Sequence, residues 1–178
     1  MVILLKKLIP NIYQKDIYTI NYKKLFKQGK RILFFDLDNT MVPYCEENAS
    51  PQLVKLISCL KKIGFTVYIF SNSLKGKKVQ RIANTLDINY NLGSCKPLKH
   101  NYLKLMKKYN YSKDEIVMIG DQLYTDILGG NKIGLTTILV EPSSLKEALP
   151  TKILRNLETK TKSKLAKKGY LIKDKYYE

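Results

Sequence analysis

The chain has 178 residues, 44% of them hydrophobic, and a formal charge of +17. This length suits a single domain with a sizeable core, and the composition is that of a globular rather than a disordered chain. No apolar run approaches the roughly 18 residues that cross a bilayer, and the stretch Val2–Leu5 is too short for a signal-peptide core, so a cytoplasmic protein is expected.

Residues 1–30 read as a basic, mildly amphipathic helical extension. Leu4, Leu5, Leu8 and Ile12 recur at helical spacing, and Pro10 interrupts the pattern. A short helix is expected at 22–28, with Asn21 as N-cap and Gly29 as its stop. The first strand follows at 31–37. Ser50, Pro51 and the stripe Leu53, Ile57, Leu60, Ile63 then mark a helix that Gly64 ends. The apolar run 65–70 is a buried strand. A helix at 76–86, a short strand at 88–92 and a helix at 97–109 come next. Further elements are a buried strand at 116–119, a helix at 123–132 and a strand at 135–140. Residues 143–178 are basic and helical to about 168, with Gly169 as a break. Strands alternating with helices predict a parallel sheet covered on both faces. Ligands of such sheets bind beyond the carboxyl ends of the strands.

The chemistry-bearing residues stand at those ends. The run Ile32-Leu33-Phe34-Phe35 leads into Asp36-Leu37-Asp38-Asn39-Thr40. A strand has a side-chain period of two, so Asp36 and Asp38 point to the same side. Converging carboxylates repel, and burying them is costly unless a cation compensates. A hard ion such as Mg²⁺ suits oxygen ligands. After the second strand, Ser71-Asn72-Ser73 offers a hydroxyl and backbone N–H groups to an anion, or simply caps a helix. Lys96-Pro97 places a cation between strand and helix, where it can neutralise a phosphoryl group. In Gly120-Asp121-Gln122-Leu123-Tyr124-Thr125-Asp126, Asp121 ends a strand and Asp126 lies a turn into the next helix. Both fit metal chemistry and both fit helix capping. His100 is the only histidine, so a Ser/His/Asp triad is excluded, and His100 is given no role. Cys45, Cys59 and Cys95 are odd in number with no metal-type spacing, and are expected as reduced thiols.

Taken in order, Asp36-Leu37-Asp38-Asn39-Thr40, Ser71, Lys96 and Gly120-Asp121 with Asp126 resemble the four motifs of the haloacid dehalogenase (HAD) superfamily of aspartyl phosphatases. Ser71-Asn72, Lys96-Pro97, Gly120-Asp121-Gln122-Leu123 and Thr125-Asp126 through Gly129-Gly130-Asn131 are similar to the YqeG family, a class III HAD group related to phosphatidylglycerophosphate phosphatases. The resemblance implies a Rossmann-like three-layer α/β sandwich. Its parallel sheet has the order 5-4-1-2-3, counted from the strand at 31–37, and its core spans 31–142, with 143–178 packed on as a basic C-terminal helical segment. It also implies roles. Asp36 is the nucleophile, and Asp38 the general acid and base. Asn39, Thr40, Ser71, Asn72 and Lys96 surround the substrate phosphate, with Thr40 bracing the loop. Mg²⁺ is held by Asp36, the Asp38 carbonyl oxygen and Asp121, with Asp126 behind them.

HAD enzymes often insert a cap domain at one of two points. About ten residues lie between Asp38 and Ser50, and the 24 between Ser71 and Lys96 are used by a helix and a strand. A capless, open site is therefore expected, suited to a phosphomonoester on something large. Of the 32 basic residues, all but Arg31, Arg81 and Arg155 are lysine. The charge reads either as compositional bias or as affinity for a polyanion. The leading expectation is dephosphorylation of phosphatidylglycerophosphate by an enzyme in peripheral contact with an anionic membrane at its inner face. A polynucleotide or small-metabolite phosphatase, and a non-catalytic RNA- or ribosome-binding protein, are the alternatives.

Overall fold

The computed structural model describes residues 5–73, 76–146 and 149–178. Its centre is one parallel sheet of six strands: β1 (Ile12–Gln14), β2 (Ile32–Phe35), β3 (Thr66–Phe70), β4 (Asn89–Asn91), β5 (Ile116–Gly120) and β6 (Thr136–Val140). Their order is β1-β6-β5-β2-β3-β4. The five expected strands take the expected order, and β1 adds a sixth at the edge. β2 lies between β5 and β3, with Phe35 level with both Ile119 and Ile69.

β2 shows how an unbroken apolar run serves two layers. Leu33 and Phe35 join a core cluster with Ile57, Leu60, Val79 and Ile82 on one face. Ile32 and Phe34 join Tyr68, Phe70, Tyr102 and Met118 on the other. The helices α1 (Tyr22–Lys27), α2 (Pro51–Ile63) and α3 (Gly76–Leu86) supply residues to the first cluster, and α4 (His100–Tyr109) to the second. α5 (Leu128–Ile133) and α6 (Leu149–Lys167) follow later in the chain. Local capping explains where two of them begin. Asn21 accepts from the Lys24 N–H at 3.1 Å, and Ser50 from the Leu53 N–H at 3.1 Å.

The expectation of a helical extension over 1–30 is corrected at residues 12–14. Ile12, Tyr13 and Gln14 pair in parallel with Ile138, Leu139 and Val140, and Tyr13 is buried. The free edge of β6 offers ladder hydrogen bonds, and Pro10 prevents a helix from running into this segment. α4 starts at His100 rather than at 97. Residues 123–127 form a π-helical turn before α5 instead of a regular helix.

Candidate active site

The site lies at the carboxyl edge of β2, β3 and β5. Asp36 continues the ladder one residue beyond β2, its N–H donating to the Ile119 carbonyl at 2.9 Å. The chain then turns back on itself. The Asn39 N–H donates to the Val42 carbonyl at 2.7 Å, and Asn39 has φ 62°, a left-handed conformation that asparagine tolerates well. The Asn39 side chain fixes this turn by accepting from the Tyr44 N–H at 3.0 Å and donating to the Lys146 carbonyl at 3.0 Å. Thr40 donates to Asp121 Oδ1 at 3.1 Å, which locks the β2 loop to the β5 loop.

Lys96 is the hub of the buried part. Its Nζ lies 2.6 Å from Asp36 Oδ1 and 2.7 Å from Asp126 Oδ1. Asn72 holds the Lys96 backbone at both polar groups, accepting from its N–H at 2.7 Å and donating to its carbonyl at 3.0 Å. Ser71 is buried at the end of β3, where its Oγ accepts from the Ser73 N–H at 3.0 Å. Two glycines make the crowding possible. A Cβ on Gly120 would collide with the Asp126 carboxylate, and one on Gly129 would lie 3.3 Å from the Pro97 Cα. The π-helical turn Leu123–Ile127 belongs to the same local geometry. Asp126 sits within it and accepts from the Gln122 N–H at 3.1 Å.

Carboxylate oxygens of Asp36, Asp121 and Asp126 lie within 4.8 Å of one another, and all three residues are buried. Burial pushes the Asp36 carboxyl up to about 8; Lys96 opposes the shift, and Asp126 and Asp121 add to it. Burial alone would lower the Lys96 ammonium, but Asp126 and Asp36 override it and hold it at about 12. Asp121 is likewise raised by burial, against the pull of Arg155.

Asp38 takes a different direction. Its side chain is 24% exposed, and its Oδ1 accepts from Lys78 Nζ at 2.8 Å. Its Oδ1 is therefore held by α3, outside the Lys96 bridge. The structure thus brings Asp36, Lys96, Asp121 and Asp126 into one contact network. Thr40 and Asn72 brace it, Ser71 sits at the adjacent strand end, and Asn39 secures the turn.

Comparisons with known proteins bear on this arrangement. A family model described as HAD-hydrolase-like matches residues 94–159. The chain is 33% identical over 169 residues to a protein of Bacillus subtilis named probable phosphatase YqeG, covering 94% of this chain and 98% of that one. The chain belongs to the YqeG family of HAD-like phosphatases. It is also 26% identical to phosphatidylglycerophosphate phosphatase 1 of Arabidopsis thaliana, over 90% of this chain but only about half (49%) of that protein's length. Among solved structures, Bacillus subtilis YfnB bound to magnesium shares the fold. It has a TM-score of 0.54 and 17% identity, with 68% of this chain and 91% of that one covered.

Two basic residues of this HAD phosphatase escaped the sequence reading. Lys78 is one. The other is Arg155 of α6, whose Nη2 pairs with Asp121 Oδ2 while its Nη1 donates to the Asp121 carbonyl at 3.0 Å and to Glu158 Oε2 at 3.1 Å. Glu158 is itself buried, and burial lifts its carboxyl to about 7 against the pull of Arg155. Each residue carried a signal. Lys78 lies four residues before Ile82 and eight before Leu86, on the buried stripe of α3. Arg155 precedes the buried Glu158, Thr161 and Leu165 at helical spacing.

Proposed function

We propose that the chain hydrolyses a phosphomonoester through an aspartyl-phosphate on Asp36, with Mg²⁺ as cofactor, and that its substrate is the lipid phosphatidylglycerophosphate. The observation that carries the chemistry is the Lys96 bridge between Asp36 and Asp126, with Asp121 in the same cluster. It sets a nucleophile, a fixed cation and two further carboxylates at one strand edge.

The donor set fits a hard divalent cation. Four buried carboxylates (Asp36, Asp121, Asp126 and Glu158) face two buried or half-buried cations (Lys96 and Arg155), an excess of two negative charges when all are ionised. The high proton affinity of Asp36 points the same way, since a nucleophile held at about 8 needs more positive charge beside it to be anionic at neutral pH. Asp36, Asp121 and the Asp38 carbonyl would hold the ion, and Asp126 is close enough to join or orient them. Bound there, Mg²⁺ would supply charge neutralisation for the phosphoryl oxygens.

This chain's own residues do the rest. An Asp36 oxygen bonds to phosphorus as the bond to the leaving oxygen breaks, and a proton moves from Asp38 to that oxygen. A water then attacks the phosphorus of the aspartyl-phosphate, Asp38 takes its proton, and the Asp36–phosphorus bond breaks. Ser71 and the backbone beyond it donate to the phosphoryl oxygens, and Lys96 stays beside the nucleophile throughout.

The lipid reading rests on the Arabidopsis relative and on the rim of the site. The loops flanking the catalytic residues hold no inserted domain among the described residues. Leu98, two residues from Lys96, is 61% exposed; Leu145, next to the Lys146 that receives Asn39, is 99% exposed. Exposed Lys99 and Lys146 adjoin them. Apolar side chains with neighbouring lysines suit an anionic bilayer surface. No helix among the described residues is long and apolar enough to cross a membrane, so contact through such a rim would be peripheral. Hydrolysis should be measured on phosphatidylglycerophosphate in mixed micelles and on soluble phosphomonoesters, each with Mg²⁺ and with EDTA. A preference for the lipid that EDTA abolishes is the expected result. Equal turnover of soluble esters would sink the lipid assignment, and full activity in EDTA the magnesium assignment.

A further inference from the structure

Lys78 is a buried lysine to which the chemistry above gives no task. Its side chain is 3% exposed and lies on the apolar face of α3 beside Val79 and Ile82. Burying an ammonium is costly unless its donors are satisfied. Here Nζ donates to Asp38 Oδ1 at 2.8 Å and to the Tyr44 carbonyl at 2.8 Å, and lies 5.7 Å from the centre of the Tyr44 ring. The Tyr44 N–H in turn donates to Asn39 Oδ1. Asp38, Lys78, Tyr44 and Asn39 therefore close a ring of covalent and hydrogen-bonded links around the catalytic turn. Its anchor is a lysine stem packed in the core.

We propose that Lys78 is a positioning residue for Asp38. It holds one carboxylate oxygen from behind, so that Oδ2 faces the leaving group, and it ties that orientation to the loop 43–49 through Tyr44. The proposal rests on Asp38 as the proton-transferring group. A general acid works only within hydrogen-bond reach of its target oxygen, about 2.6–3.2 Å. An aspartate a quarter exposed at a site mouth has water to compete for it and several staggered rotamers to visit. Lys78 removes that freedom with a charge-assisted hydrogen bond. A lysine needed only to pack α3 would gain nothing from pointing at Asp38, since methionine fills a similar volume without an ammonium to satisfy.

The test separates steps that need proton transfer to the leaving group from steps that do not. Glycerol 3-phosphate expels glycerol as a poorly stabilised alkoxide and needs the acid; 4-nitrophenyl phosphate releases a stable phenolate and does not. In Lys78→Met, turnover of glycerol 3-phosphate should fall by about 100-fold, the scale of general acid catalysis. The first-turnover release of nitrophenolate should stay within about threefold of wild type, because that step needs no proton. Lys78→Arg, which keeps a donor cation, should recover at least about tenfold of the loss. In an Asp38→Asn background, adding Lys78→Met should cost less than about threefold, since residues acting as a unit are not additive. An equal fall on both substrates, or an undiminished effect in the Asp38→Asn background, would overturn the proposal. If Asp38→Asn alone left glycerol 3-phosphate turnover intact, the acid–base reading beneath it would fail instead.

Discussion

Asp36 and Asp38 are two residues apart and each meets a lysine, yet the two pairs sit in different media. Asp36 is 10% exposed at its side chain, shares Lys96 with Asp126 and lies among other carboxylates. Asp38 is 24% exposed at its side chain and has Lys78 at its back, from a helix on the other side of the turn. The difference shows how one short loop holds two carboxylates in two environments. The inner one is crowded by like charge and short of water, so it depends on cations. The outer one keeps contact with solvent, from which a hydrolytic water would come in the proposed mechanism, and depends on orientation.

Breaking the inner pair should have the largest effect. Asp36→Asn removes the proposed nucleophile and should lower turnover by about 10⁴-fold or more. It also removes a carboxyl whose ionised form contributes to the surplus negative charge of the cluster. In EDTA the variant should therefore melt no lower than wild type by calorimetry, and a large drop in Tm would show that the charge excess is wrongly assigned. Asp38→Asn should cost less, about 10²- to 10⁴-fold on an alkyl phosphate.

Arg155 carries the comparison to stability. Removing one partner of a buried charge pair leaves the others uncompensated, at a cost of about 3–5 kcal/mol, towards the lower end where water can enter. Arg155→Met strands the buried Asp121 and Glu158, so Tm should fall by roughly 10 °C, and Mg²⁺ titrated by calorimetry should bind more weakly as Asp121 loses its orientation. By contrast, Lys61→Ala breaks a surface pair with the fully exposed Asp87 and should leave Tm within error. Similar losses in the two variants would erase the distinction between inner and outer charge.

A smaller effect than that of Arg155→Met is expected for the dependence of metal stabilisation on pH. In EDTA the folded chain holds protons on Asp36 and Glu158, at about 8 and about 7, that the unfolded chain releases near pH 4. The native state then binds more protons than the unfolded state between those limits. The stability from these groups is therefore complete below about pH 4 and is lost as pH rises through 7 to 8. Mg²⁺ competes for the Asp36 carboxylate, so the gap in Tm between Mg²⁺ and EDTA should widen by several degrees from about pH 6 to about pH 8. A gap that narrows over this range would contradict the inner-pair account.

Much of this was legible in the sequence because β2, β3, β5 and β6 are apolar runs that end in polar residues. A buried parallel strand imposes that pattern, and the ladder beside it fixes where Asp36, Ser71 and Asp121 emerge. β1 was not legible. Three residues carry no period, and Ile12–Gln14 becomes a strand only because β6 offers it an edge. Lys78 and Arg155 were hidden for another reason. Lys78 is one lysine among 29, and the acidic partners of Lys78 and Arg155 lie 40 and 34 residues away. Their clue was a charge at an apolar position of a helix, which becomes chemistry only when the fold supplies the carboxylate opposite.

The most direct test of the central claim is acid quench of the enzyme during turnover with Mg²⁺ and substrate, followed by peptide mass spectrometry. One phosphoryl group on Asp36, present in wild type, more abundant in Asp38→Asn and missing from Asp36→Asn, is the predicted result. A phosphoryl group on any other residue, or turnover with none trapped on Asp36 in either wild type or Asp38→Asn, would contradict the assignment of Asp36 as the nucleophile.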